Sequence, residues 1–295
     1  MRVRPAMLAL LLPGSCVAHA PATPAASVRP MHVMSVNQCT DQLVLALLPP
    51  ERIASVSWLA RDPTGSLMAD RARRVAINRG HVEDVLAQHP DLVVAGSFTT
   101  PALRAMLKRL DYPMIEVPHA ATLDDVRTTT RQVAKALGEP ERGEALIAHM
   151  DRQLADLARD PGPPIRVVAW DQTGFSASQG TLYDAVLTAA GARNVVREPM
   201  TFTYRKPDVE VLMRAAPALL VRGSRDVRIA GLGDDVMRHR LVRRFWGGGR
   251  TLTIPQAYYA CGTPMVADAA IALRRQLRAA APLARPLPFD TEPRP

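Results

Sequence analysis

Short apolar or near-apolar runs recur along this chain, separated by stretches whose apolar positions fall at helical spacing. The runs at 33–36, 53–57, 92–95, 113–117, 166–170 and 251–254 predict strands, several of them apolar enough to be buried on both faces. A shorter run at 75–77 predicts one more. Between them, 40–48, 102–110, 182–190, 234–245 and 265–280 read as helices. Such alternation of strand and helix specifies a parallel sheet flanked by helices. One stretch differs. From 122 to 160 the pattern stays helical, opening on Thr122-Leu-Asp-Asp125, an N-cap with an acidic first turn. It is interrupted at Gly138-Glu-Pro140, where Pro suits the first turn of a new helix, and stops at Pro161-Gly-Pro-Pro164. This is the only long helical stretch, and it predicts a single helical crossing between two α/β halves.

A twelve-residue pattern occurs once in each half. Residues 83–94, Glu-Asp-Val-Leu-Ala-Gln-His-Pro-Asp-Leu-Val-Val, return as 210–221, Glu-Val-Leu-Met-Arg-Ala-Ala-Pro-Ala-Leu-Leu-Val. Each copy reads as a short helix that opens on a carboxylate, is stopped by Pro and leads into an apolar strand. Glu83 and Glu210 therefore stand at equivalent places on two similar units. An acid near a helix start stabilises it by roughly 0.3–1 kcal/mol through the macrodipole, which is one account of both. The other is a matched pair of surface charges for docking on a two-fold partner.

Length, charge and cysteines narrow the picture. The chain of 295 residues is long enough for two domains. Arg2 and Arg4, an apolar stretch over 6–12 and Ala18-His19-Ala20 predict a secretory signal over residues 1–22. Cys16 would serve a lipoprotein signal, but Pro13 stands where lipid attachment needs a branched aliphatic residue. The expected location is therefore the periplasm, with 21–30 and 282–295, both Pro-rich, as disordered ends. The formal charge of +9 loses two units with Arg2 and Arg4, and the remaining basic residues are scattered apart from 71–74 and 238–244. No basic face with interleaved aromatics and no nucleic-acid motif accompanies them, so nucleic acid is not an expected partner. Export leaves Cys39 and Cys261, far apart in sequence. They are either a disulfide, which an oxidising compartment permits, or two free, small cleft residues.

In parallel α/β units ligands bind beyond the carboxyl ends of the strands. The loops there carry Asn37, Cys39, Thr40 and Asp41; Trp58 and Arg61; Phe98; Phe175; and Tyr258, Tyr259 and Cys261, with Tyr204 and Arg205 just before the second repeat copy. In a chain only 4% aromatic, rings gathered at strand exits predict a wall that stacks on a large planar or macrocyclic ligand. Some rings, Trp170 first, are expected in the core instead. There is no dinucleotide fingerprint, Walker loop or Gly-x-Ser-x-Gly elbow. The histidines form no ligand array; His119, after a strand, is the one candidate for an isolated metal contact, and no bound metal or cofactor is expected.

Taken in order, 34–42 (Met-Ser-Val-Asn-Gln-Cys-Thr-Asp-Gln), Glu83 through Val94, 174–182 with 190–194, Glu210 through Pro217, and Cys261-Gly-Thr-Pro264 resemble the substrate-binding proteins of ABC importers, of the cobalamin and iron–siderophore group. The resemblance spans about 31–280. It implies an α/β fold of two Rossmann-like lobes with parallel sheets joined by a long helix, divided as 23–121, 122–160 and 161–281. It implies capture of a bulky metal chelate between lobes that move little, by a monomer that docks through Glu83 and Glu210 on an inner-membrane permease dimer and performs no covalent chemistry. Phe175, Tyr204 and Tyr258 match cleft aromatics of the cobalamin binders. Cys261 departs from that subgroup, which carries a larger polar residue there. An exported α/β enzyme acting on a cofactor-like molecule and a free metal-ion binder are the competing readings.

Overall fold

The structure is a computed structural model that describes residues 29–162, 164–171, 176–195, 208–224 and 235–289. The expected signal over residues 1–22, Phe175, Tyr204, Arg205 and the last residues of the tail lie outside the described residues. The first lobe is built on a five-stranded parallel sheet in the order β3-β2-β1-β4-β5. Its strands are β1 (Val33–Ser35), β2 (Ile53–Ser57), β3 (Ile77–Asn78), β4 (Leu92–Gly96) and β5 (Met114–Val117). The second lobe has a four-stranded parallel sheet in the order β7-β6-β8-β9, with β6 (Ile165–Asp171), β7 (Ala192–Asn194), β8 (Leu219–Ser224) and β9 (Thr251–Pro255). The two orders superimpose: β6, β7, β8 and β9 take the places of β1, β2, β4 and β5.

Alternation along the strands explains why they are apolar throughout. In the first lobe Val33, Leu92 and Val94 pack with α1 (Gln38–Leu47) and α5 (Leu123–Ala136), whereas Met34, Val93 and Ala95 pack with α3 (Val82–Gln88) and α4 (Pro101–Arg109). In the second, Val167, Ala169, Leu219 and Val221 face α7 (Leu182–Ala189) and α11 (Val266–Ala280). Val168, Trp170 and Leu220 face α8 (Val209–Ala215) and α10 (Arg240–Trp246) on the other side. A strand covered by helices on both faces has no solvent side on which to place polar residues. Trp170 is fully buried here, as expected for a core ring.

The 122–160 segment is two helices. Thr122 caps α5, its hydroxyl accepting from Asp125 N at 3.1 Å while Asp125 accepts from Thr122 N at 2.9 Å. Helix α5 then belongs to the first lobe, through Val133, Ala134 and Leu137. The start of α5 also touches the second lobe, since Leu123 and Val126 pack with that lobe's core, and α6 (Pro140–Arg159) makes the long crossing, with Leu146 against the first lobe's core and Met150, Leu154 and Leu157 against the second's. Its 20 residues span about 30 Å. Arg127–Asp151 and Arg131–Glu144 ion pairs hold α5 alongside it.

Other differences from the sequence expectation have local causes. Strand β7 is three residues at a sheet edge, defined by its register with β6 (Ile165↔Ala192) rather than by an apolar run. The helix expected over 234–245 is α9 (Asp235–Arg238) and α10, broken at His239, whose extended backbone and Nδ1, accepting from Leu241 N, start a new helix. Two segments expected to be disordered are partly docked. Arg52 donates to Pro30 O, and both Arg52 and Arg29 pair with Glu139. Beyond α11, Leu287 is 6% exposed and Phe289 packs edge-on against Phe245 and Trp246. Among the described residues no helix is long and apolar enough to cross a membrane.

Candidate functional site

In each sheet the chain reverses its winding direction beside the first strand, between β1 and β4 and between β6 and β8. A crevice opens at such a switch point because the loops leaving the two strands diverge to opposite faces. The switch points of the two lobes face a common cleft of about 620 Å³. Asn37, Gln38 and Cys39 enter it from β1, Trp58 from β2, Arg79 and Gly80 from β3, Phe98 to Thr100 from β4 and His119 from β5. The second lobe contributes Asp171, at the end of β6, together with Leu182, Gln256 and Tyr259 to Cys261.

Local chemistry sets each position. Asn37 caps α1, its side-chain oxygen accepting from Cys39 N at 3.0 Å, which places the first turn of that helix at the cleft. Trp58 and Phe98 are 56% and 72% exposed, the largest apolar groups open to the cleft. An exposed ring at a concave site is uncovered surface that a flat ligand can bury. The edge of His119 meets Phe98, with ring centroids 5.5 Å apart at 75°. Burial lowers the His119 pKa, the charge of Asp125 opposing, so the imidazole is neutral at neutral pH. Arg79 and Asp171 are the formal charges on the cleft wall among the described residues. Arg79 is exposed; Asp171 is 2% exposed and receives the Tyr259 hydroxyl at 3.4 Å.

Several expected contacts are placed elsewhere. Asp41 does not reach the cleft: it is wholly buried and accepts from the backbone N–H and the hydroxyl of Ser57 at 3.1 and 2.5 Å. Burial pushes its pKa up to about 7, against the opposing hydrogen bonds from Ser35 and Ser57. Thr40 is buried too, its hydroxyl shared between Ser35 Oγ and Asn37 O, and it borders only a small secondary cavity below Phe98. Arg61 is turned away from the cleft and donates to the carbonyls of Ala72 and Val75. Of the tyrosine pair, Tyr258 packs on the second lobe's core and Tyr259 lines the cleft. Tyr259 is no open platform, because Tyr183 stacks on it at 4.0 Å between centroids. It fits over β8 only because residue 223 is Gly: a Cβ there would lie 1.9 Å from the Tyr259 hydroxyl.

Cys39 and Cys261 are joined in a disulfide, with Cα atoms 4.9 Å apart, and both line the cleft. Sequence reasoning did not single out Arg79 or Gln256. The signal for Arg79 was its place directly after a strand, hidden because β3 runs over 77–78 instead of 75–77. Glu83 and Glu210 are both exposed, each the second residue of a seven-residue helix. Both helices end on a non-glycine residue in the left-handed region, His89 (φ 46°) and Ala216 (φ 41°), directly before the proline. The repeat is therefore a repeat of backbone geometry. Among the described residues no three His, Cys, Asp or Glu side chains are grouped to hold a metal ion.

Residues 33–245 match the family model described as periplasmic binding protein. A vitamin B12-binding protein of Pectobacterium carotovorum subsp. carotovorum (strain PC1) is 25% identical over 269 residues, covering 88% of this chain and 92% of the relative. Among solved structures, a periplasmic heme binding protein from Pseudomonas aeruginosa superposes with a TM-score of 0.67 at 22% identity, covering 88% of this chain and 95% of that one. The periplasmic vitamin B12 binding protein of Vibrio cholerae does so with a TM-score of 0.63 at 17% identity, over 85% and 98% of the two chains. These two likenesses are of fold.

Proposed function

The chain belongs to the periplasmic binding protein family, and from that premise we propose that it captures a bulky metal chelate, of the ferric siderophore, corrinoid or heme kind, and passes it to an ABC importer of the inner membrane. One observation carries the reading: a cleft of about 620 Å³ at the paired switch points, with Trp58 and Phe98 more than half exposed on its wall. That volume is within the usual range of small-molecule sites. Two uncovered rings offer a stacking surface that a planar macrocycle, unlike a bare ion or a small sugar, would bury. Relatives named for vitamin B12 and heme support the same ligand class. The metal arrives inside the cargo, and the protein needs no cofactor of its own.

The chain works as a monomer after export through its signal, and Glu83 and Glu210 are its contacts to the two permease subunits. What supports this is their exposure and their equivalent seats on twin αβ units.

Absorbance and mass spectra of the protein purified from its native periplasm test the reading, since corrinoids, heme and ferric siderophores all absorb visible light. With the chelate so identified, Trp58→Ala and Phe98→Ala are each expected to bind it more weakly by about 1–3 kcal/mol, as the loss of a buried ring requires. Unchanged affinity would remove the ligand from this cleft, and turnover of the chelate would favour an exported enzyme instead.

A further inference from the structure

Residues 256–263 belong to the second lobe, following β9, yet they are fastened to the first. The Ala257 N–H donates to Thr64 O at 2.9 Å. Four residues on, Cys261 is bonded to Cys39 at the start of α1, across 222 residues of sequence. Next to it, Gly262 lies so close to Ala120, between β5 and α5, that a Cβ on Gly262 would sit 2.2 Å from the Ala120 Cβ. A larger residue at 262 would push the segment off. The same segment supplies Gln256 and Tyr259 to Cys261 to the cleft wall.

Apart from the side-chain packing of Ala120, Leu123 and Val126 on the second lobe's core, the lobes are therefore tied in two separate places. One tie is α6, no residue of which lines the cleft; the other is a covalent bond inside the cleft wall. Two bodies joined along one element can still hinge about it, whereas a second bond away from that element removes the hinge motion. A hydrogen bond such as Thr64–Ala257 opens and closes readily, so by itself it would not hold the lobes. The disulfide does.

We propose that Cys39 and Cys261 are a positioning pair: acting through residues 256–263, their bond holds the lobes at one separation, so that ligand meets a cleft already at its binding width. The gain lies in cost avoided, because a cleft that is ordered before binding loses less freedom when ligand enters. The separation follows from the fold alone; only its effect on affinity rests on the chelate reading above.

Inter-lobe distances measured by double electron–electron resonance test this on the whole mature chain. Maleimide-linked gadolinium labels would be placed at the exposed positions Arg109→Cys on α4 and Arg275→Cys on α11. The oxidised protein is expected to give one narrow distribution, and the Cys39→Ser, Cys261→Ser variant a broader or longer one. Affinity for hemin or cyanocobalamin, whichever binds, should fall about tenfold with it. A disulfide that merely stiffened its own loop would lower the melting temperature and leave the distance unchanged, and that result overturns the proposal. If the serine variant does not fold, the labelled disulfide-bonded chain treated with a phosphine reductant, with release of two thiols confirmed, gives the same comparison. If neither probe binds either form, the chelate reading loses its support, while the distances still decide whether the bond sets the separation.

Discussion

Asn37 and Asp41 stand one turn apart at the head of α1, and their side chains go to opposite places. Asn37 faces the cleft and caps the helix; Asp41 points inward to Ser57. For Asp41 burial outweighs the donors around it, so its folded pKa, about 7, lies above the ordinary 3.8. The sign of the linkage follows. A raised carboxyl pKa contributes stability that is complete below pH 3.8 and is lost as the pH rises through about 7, because the folded protein must hold a proton that the unfolded chain releases. The melting temperature of the wild type should therefore decline between pH 5 and 7.5 more steeply than that of Asp41→Asn, by an amount corresponding to about 1 kcal/mol per pH unit. Parallel profiles would show that Asp41 ionises like an exposed carboxyl. Nothing in the motif Asn37-Gln-Cys-Thr-Asp41 distinguishes the two roles. The helical period puts residues 37 and 41 on roughly one face, and the sheet's position beneath α1 then buries the second but not the first.

At the scale of elements, the repeated αβ unit is the part of the molecule most completely legible in sequence. Helix α3 with β4, and α8 with β8, have the same helix length, the same left-handed ending and the same proline, so Glu83 and Glu210 are presented alike. Exposed charges of this kind register a complex and speed its formation more than they stabilise a fold. Changing both to Ala should leave ligand affinity and melting temperature nearly unchanged and sharply reduce uptake through the cognate importer in reconstituted vesicles. A small loss of stability, about 0.3–1 kcal/mol per helix, with normal uptake would assign the pair to the helix dipoles. The elements that were not legible are those whose existence depends on a neighbour. Strand β7 is recognised only through its partner β6, and the break between α9 and α10 only through the hydrogen bond at His239.

At the scale of the whole molecule, the disulfide closes a loop spanning 222 residues of sequence. In the chain-entropy picture a cross-link of that span stabilises the folded state by up to about 5 kcal/mol. Denaturant unfolding of Cys39→Ser, Cys261→Ser against the oxidised protein measures it, and equal midpoints would mean that the bond constrains nothing the unfolded chain explores. The periodicity of apolar residues determined the two parallel sheets, the helical crossing between them and the strand-end loops that line the cleft, because each depends on contacts that repeat every two or every 3.6 residues. It also placed Glu83 and Glu210 as equivalents, since a repeated local sequence builds a repeated local shape. The pairing of Cys39 with Cys261, the stacking of Tyr259 on Tyr183, the retreat of Asp41, Thr40 and Arg61 from the cleft and the entry of Arg79 into it were decided only by the tertiary structure. Loop side chains have no period. Which way one points is settled by what the other lobe, or a strand far away in sequence, has already placed beside it.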